Sequence, residues 1–467
     1  MEVLTNKYKP FYKFSIPNDW RFGKLSSFGF TFSGLSGKSK EDFGHGKPYV
    51  PYKHIFKNAI IEDGEFDLVS IEPNENQSKI ENGDLFFTTS SETPEELAMS
   101  SVYLGHEKEL YLNSFCFGFR ATTKDQISTS YLAHLFRSSV GRRIIYKLAQ
   151  GATRYNISKK NLVKEDFPLP ILSEQKEIAS ALNSMDEAIY IHENLLSQKE
   201  QEKKWLAQNL LSGKKRSKNH IYTNDYHKTK LGALPVDWDI IYLKDILNPA
   251  GRPVTPIKDV LYQQIGIRSH KKGIFYKDKV TGTSLGKKRV FWIESDCFIV
   301  NIVFAWEHAV AKTTDHEKGM IASHRFPMYK PKEGILDLNY LLYYFKSPRG
   351  KYLLGLASPG GAGRNKTLGN SEFMKLQIPV PSYEEQIAIA QILSTVDQEI
   401  ILIKEKINKL KEQKKGMMQV LLTGKKRLNQ DLQDLKMNRI NAVEHNLENP
   451  ANSESPNPNN NLEIPKI

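Results

Sequence analysis

Cysteine is nearly absent. The only two, Cys116 and Cys297, lie far apart with no second thiol at metal-ligand spacing, so neither a zinc ribbon nor a disulfide framework is available. Both sit in apolar runs, Phe115-Cys116-Phe117 and Cys297-Phe298-Ile299, and are expected as buried strand residues. Long hydrophobic runs are missing as well. No window reaches the ~20 apolar residues of a membrane span, and Met1-Glu2-Val3-Leu4-Thr5-Asn6-Lys7 has no apolar signal core. A cytoplasmic protein is expected. Acidic residues are in the minority, 53 Asp and Glu against 66 Lys and Arg, giving a net charge of +13. That excess favours an anionic partner, nucleic acid before membrane.

Catalytic motifs are scarce too. Gly34-Leu35-Ser36-Gly37-Lys38-Ser39 resembles part of a phosphate loop, but Phe32 stands where the first glycine is needed. Phe43-Gly44-His45-Gly46 lacks a strand–loop–helix setting. No Asn/Asp-Pro-Pro-Tyr/Phe tetrapeptide of an amino-methyltransferase occurs; Asn248-Pro249-Ala250-Gly251 is the nearest. His308 and His316, beside Asp315 and Glu317, fit no zinc helix, and no Gly-x-Ser-x-Gly elbow is present. Together these absences favour a binding subunit over an enzyme.

What the chain does have is a repeat. Leu210-Leu211-Ser212-Gly213-Lys214-Lys215-Arg216 returns 211 positions on as Leu421-Leu422-Thr423-Gly424-Lys425-Lys426-Arg427. Pro168-Leu169-Pro170 and Glu174-Gln175 return as Pro379-Val380-Pro381 and Glu385-Gln386. Pro17-Asn18-Asp19-Trp20 returns as Pro235-Val236-Asp237-Trp238. Tyr131 to Ser138 matches Tyr340 to Ser347, and Gly83-Asp84-Leu85-Phe86-Phe87 is set against Ser295-Asp296-Cys297-Phe298-Ile299. A duplicated molecule suits a target with two halves, as dimeric readers suit paired DNA half-sites.

Each half closes with a long apolar seam whose steps alternate between four and three. The first carries Ile178, Leu182, Met185, Ile189, Leu196, Leu206 and Leu210. The second carries Ile389, Leu393, Val396, Ile400, Ile403, Ile407, Leu410, Met417 and Leu421. This is a heptad pattern with polar interruptions. His192 and Lys199 stand where Ile403 and Leu410 stand, so the two seams are unequal. Ser173 is expected to cap the first helix, Ser382 with Glu385 to form a capping box on the second, and Gly213 to end the first. A helix of about 38 residues is about 57 Å long, and the simplest cover for each stripe is the other helix, packed antiparallel. One further helix is expected near Thr129 to Leu148.

The expected fold is α+β: two pseudo-symmetric α/β domains separated by two long antiparallel helices packed as a coiled coil. The boundaries are 1–168, 169–213 for the first helix, a basic linker 214–231, 232–379, 380–424 for the second helix, and a disordered tail over 425–467.

Candidate DNA contacts are basic or amide side chains at comparable places in both halves. Arg154 and Asn156 lie in one glycine loop, and Arg364, Asn365 and Lys366 in its counterpart. Lys53 and His54 are set against Arg268, His270, Lys271 and Lys272, and Lys287, Lys288 and Arg289 form a further cluster. Arg and Lys neutralise phosphates, Arg can fork onto guanine, and Asn matches the adenine edge. Phosphate contact is the commoner role.

The order Pro-x-x-Trp, glycine loop, Pro-x-Pro, Glu-Gln, long helix and Leu-Leu-Ser/Thr-Gly, seen twice from Pro10 to Arg427, resembles the specificity subunit of type I restriction-modification systems. The resemblance implies two target-recognition domains, each reading one half of an interrupted double-stranded DNA site, and two conserved helices fixing the gap. It implies two adenine methyltransferase subunits and two restriction subunits as partners. S-adenosylmethionine, ATP and Mg would be carried by those partners, with no cofactor, metal or catalysis in this chain. The competing reading is a coiled-coil assembly scaffold without direct base readout.

Overall fold

The computed structural model describes residues 7–216, 225–360 and 366–428. These form two compact units, each built from one globular half and parts of both long helices. The first unit takes residues up to His192 and returns from Lys406; the second is the continuous stretch Glu193–Glu405. The fold is α+β.

The long helices span Leu172–Leu210 and Tyr383–Leu421. Their ion pairs run in opposite sequence order. Within the first unit Glu174 meets Arg427 and Asp186 meets Lys414. Within the second, Lys199 meets Glu399 at 2.8 Å, Glu200 meets Lys404 at 2.7 Å, and Lys203 meets Asp397. The helices are therefore antiparallel in each unit. Of the seam residues, Met185, Leu196, Ile403 and Met417 are half-buried and the rest are buried. Lys199, at an interrupted seam position, bonds Glu399 rather than packing.

The seams do more than cover each other. Ile178 and Leu182 enter the core of the first globular half with Trp20, Phe87 and Phe136, and Leu421 and Leu422 join them there. Ile389 and Leu393 enter the second core with Trp238, Phe298 and Phe345, joined by Leu206 and Leu210. The second long helix contains an 18-residue stretch of mean hydropathy 1.3, enough by length and composition to cross a membrane. The expectation that no such stretch exists is corrected. Ile389, Leu393, Val396 and Ile400 of this helix are core residues of the second unit, although Ile401 and Leu402 stay exposed.

Each globular half carries an antiparallel sheet in the same order. In the first, Gly29–Ser33, Cys116–Ala121, Leu85–Thr88 and Ser100–Tyr103 lie side by side, and Ile60–Ile61 adds a parallel edge. In the second the order is Leu247–Ala250, Met328–Pro331, Phe298–Val300, Val310–Lys312. The sequence match across these strands slips by one residue. Phe87 packs on Phe136 with centroids 5.3 Å apart, and Phe298 packs on Phe345 at 5.3 Å, so Phe298 answers to Phe87 and not to Phe86. Strand side chains alternate faces, and a one-residue shift would place Phe298 in the wrong layer. Cys116 and Cys297 are buried free thiols; Cys116 opens its strand and Cys297 precedes one.

The helix expected near Thr129 to Leu148 is two helices, Thr129–Arg137 and Ser139–Leu148. Ser138 is extended between them, and its hydroxyl accepts the Gly141 N–H. A Cβ at Gly141 would collide with the Leu135 carbonyl. Ser347 and Gly350 build the same corner in the second half.

The repeated motifs converge on one node in each unit. Trp238 Nε1 donates to Glu385 at 3.1 Å, and Arg216 forks onto the same carboxylate at 2.7 and 2.9 Å while also reaching Asp237. In the first unit Trp20 donates to Glu174 at 3.2 Å, and Arg427 bonds Glu174 and Asp19. Gly213 and Gly424 have φ of +70° and +65°, and a Cβ on either would strike Pro235 or Pro17. Glycine is required there by both the backbone and the close approach. Gln175 and Gln386 stitch the helix starts to the globular halves. Each accepts a backbone N–H, from Ser128 or Asp337, at 2.8 Å and donates to the Pro170 or Pro381 carbonyl.

Three terminal expectations change. Leu172 begins the first long helix, so Ser173 lies inside its first turn. Ser382 accepts the Glu385 N–H at 3.3 Å, but the Glu385 carboxylate faces Arg216 and Trp238. Arg427 and Leu428, placed in the expected tail, are folded: Arg427 is ion-paired and Leu428 buried. The rest of that tail lies outside the described residues.

Candidate nucleic-acid interface

Alternating apolar residues make a hairpin of Ile265–Arg268 and Gly273–Tyr276. Ile265 and Ile267 point into a small core, and Arg268 emerges at the strand end. The turn is held by main-chain bonds: His270 N–H donates to Glu307 at 2.7 Å and Lys271 N–H to His308 at 3.1 Å. His270 and Lys271 adopt φ of +59° and +64°, an uncommon conformation for residues with side chains. That strain is carried by a turn whose backbone bonds leave its side chains free.

Beside the turn lies an open cleft of about 660 Å3. Arg268, Lys272, Lys277 and Arg325 supply its charge, His270 an imidazole, and Phe275, Phe304 and Phe326 its apolar surface; among the described residues no carboxylate lines it. Asn301 fixes the floor, donating to the Ile267 carbonyl at 3.4 Å and accepting from Val303 N–H. A basic cleft with aromatic walls suits an anion that also has flat faces. Lys271 does not line the cleft. Partial burial, then the Lys203 and Lys351 ammoniums, push its pKa below the usual lysine value.

Lys287, Lys288 and Arg289 are exposed ahead of the strand Val290–Trp292. The Arg289 carbonyl accepts from His324, next to Ser323 and Arg325 of the cleft rim. Lys366 sits 5.6 Å over the Trp306 ring. Arg364 and Asn365 lie outside the described residues.

In the first half the expected contacts are more engaged. Lys53 lies on the helix Tyr52–Lys57, 3.9 Å from Asp67, and His54 packs beside Phe66. Burial, then Lys53, lowers the His54 pKa. The sequence alignment of this segment with Gly266–His270 is corrected, because the first is a helix and the second a strand and turn. Arg154 donates to Ser90 Oγ at 3.1 Å, and Tyr52 donates to the Ser90 carbonyl, so the glycine loop and the Tyr52 helix meet there. Asn156 reaches back to the Arg154 carbonyl. The bridge Gln150–Asn156 that closes this loop recurs as Gly360–Lys366.

Sequence reasoning missed Lys277 and Arg325, which reach the cleft from separate strands and turns. Among the described residues no three His, Cys, Asp or Glu side chains gather as a metal site. His308 instead bonds the Ser347 carbonyl, and Glu317 accepts from Tyr276 and Thr314.

The chain has two globular halves, each packed on parts of both long helices, and a basic cleft in the second. The chain belongs to the family described as type I restriction modification DNA specificity domain, whose profile matches residues 17–201 and 235–412. It is 23% identical over 432 residues to a provisionally named type I restriction enzyme MjaX specificity subunit of Methanocaldococcus jannaschii, covering 88% of this chain and 95% of that one. It is 27% identical over 237 residues to the type I restriction enzyme StySPI specificity subunit of Salmonella potsdam, covering 48% and 49%. Its fold is similar to the crystal structure of a type I restriction-modification S subunit from M. genitalium. That match has TM-score 0.51 and 14% identity, and covers 89% of this chain and 98% of that one.

Proposed function

We propose that this specificity subunit reads an interrupted duplex DNA target, one half-site per globular half, and performs no chemical step itself. The observation that carries this reading is the cleft of the second half, where five basic side chains converge and no carboxylate among the described residues joins them. Adenine methyltransferase and restriction subunits, two of each, are the partners this role requires. S-adenosylmethionine, ATP and Mg would be held by them.

The test is single-molecule sequencing of adenine methylation in cells that express this chain with the methyltransferase subunit of its system, against cells without the chain. A two-part methylated motif present only with the chain is expected. Unchanged methylation in cells where the complex assembles would leave a scaffold as the better account.

A further inference from the structure

One local device occurs twice in the molecule and ends differently each time. In the second half Gly266 lies opposite Phe275 in the hairpin. A Cβ at Gly266 would overlap the Phe275 ring, so the missing side chain lets that ring lie flat across the strand. The Arg268 guanidinium then rests over the ring, 5.1 Å from its centroid. In the first half Gly118 lies opposite Phe32, a Cβ there would again overlap the ring, and Arg120 rests 5.1 Å over it. The sequences are Gly118-Phe119-Arg120 and Gly266-Ile267-Arg268. These are not corresponding positions of the repeat, so the likeness is physical: glycine admits the ring, and the ring fixes the plane of the guanidinium.

The edge of that plane meets different surroundings. Arg120 is engaged inside the protein through four of its five N–H donors. It donates to Asp84 at 2.9 and 2.7 Å, to the Lys79 carbonyl at 2.7 Å, and to Glu81. Among the described residues Arg268 has no carboxylate or carbonyl receiving its N–H groups. It is exposed and lines the basic cleft with His270, Lys272, Lys277 and Arg325. A guanidinium seated over a ring, with no carboxylate or carbonyl among the described residues on its donor edge, suits a planar acceptor pair.

We propose that Arg268 is the specificity-determining side chain of the second half, forking onto O6 and N7 of a guanine in the half-site this unit reads. The inference rests on the DNA-reading function proposed above. Phosphate neutralisation needs charge but no fixed plane, and the flexible stems of Lys272 and Lys277 provide that charge. Bidentate base recognition needs the orientation that Phe275 enforces. Phe275 and Gly266 are therefore positioning residues.

The experiment uses the complex of the full chain with its methyltransferase subunit, and reads the methylated motif and the affinity for a randomised duplex library at fixed salt. Arg268→Ala and Arg268→Lys are both expected to relax one guanine position in one half-site by roughly 10- to 100-fold. The other half-site should stay unchanged. Phe275→Leu should relax the same position less. Retained preference at every position in Arg268→Lys, with uniform weakening in Arg268→Ala, would reduce Arg268 to a phosphate contact and overturn the proposal. Unaltered motif and affinity in both variants would also overturn it. A wild-type complex with no two-part motif would instead remove the reading on which it rests. Arg268 is exposed, so its variants should keep the wild-type melting temperature. Arg120→Ala, which leaves Asp84 buried and unpaired, should lower it.

Discussion

Arg216→Ala should cost the second unit about 3–5 kcal/mol of stability, the loss typical of breaking a buried ion pair from one side. The Glu385 carboxylate is 1% exposed and takes two guanidinium bonds and one indole bond. With Arg216 gone, a full negative charge stays buried with Trp238 Nε1 as its remaining donor of the three. Asp237 is different: its side chain is 44% exposed, water can replace the guanidinium, and Asp237→Ala should cost under about 1 kcal/mol. Adding Glu385→Gln to Arg216→Ala removes the stranded charge and keeps an acceptor for the indole, so part of the loss should return. Urea denaturation of the full chain, with hydrogen exchange to assign the loss to the second unit, measures all three. A loss below about 1 kcal/mol for Arg216→Ala would refute the buried-pair account.

The second large effect depends on pH. His134 is fully buried on the helix Thr129–Arg137, its Nε2 2.7 Å from Asn183 Oδ1 and its Nδ1 without a partner among the described residues. Burial, then the Lys414 ammonium, lowers its pKa to about 4; Asn183 and Asp186 oppose this and Arg137 adds to it. A base whose folded pKa is depressed stays neutral in the folded state while the unfolded chain takes up a proton. Stability should therefore be lost as pH falls from about 6.5 towards 4. At about 1.4 kcal/mol per pKa unit this approaches roughly 3 kcal/mol. The second unit shows how to remove the effect. Tyr343 occupies the matching place and donates to Asp397 at 2.8 Å, whereas Asp186 Oδ2 is unpartnered among the described residues. His134→Tyr should give Asp186 that donor and flatten the pH dependence between 6.5 and 4, as read by denaturation at pH 7 and pH 5. An unchanged slope in the variant would show that His134 is not its source.

The sequence disclosed the helices and the repeat because both are periodic, and periodicity survives in one dimension. Ile178 through Leu210 and Ile389 through Leu421 could be read as stripes without any partner in view. The nodes were half visible: Trp20, Glu174, Arg427 and their counterparts stood out by recurring, but Arg216 and Glu385 are 169 positions apart. Nothing local says that they touch. The cleft was harder still. Arg268, His270 and Lys272 were flagged by charge, but Lys277 and Arg325 join them only through tertiary folding. Charge alone also says nothing of partners within the protein, such as Asp67 beside Lys53 and Ser90 beside Arg154. Phe275 carries no charge that would flag it, and its pairing with Gly266 exists only in strand register.

The two units also become complete at different moments of synthesis. The second is one uninterrupted stretch, and its node closes once Glu385 has been made. The first must wait for the last turns of the second long helix, because Met417, Leu421 and Leu428 fill its core and Arg427 reaches back 408 positions to Asp19. A ribosome adding about 5–20 residues per second therefore releases the later-encoded unit to fold first, while the earlier-encoded one stays open beneath Trp20. The amino-terminal half, made first, is finished last. A chain stopped short of Leu421 would keep every residue of its second core and lack Leu421, Leu422 and Leu428 from its first.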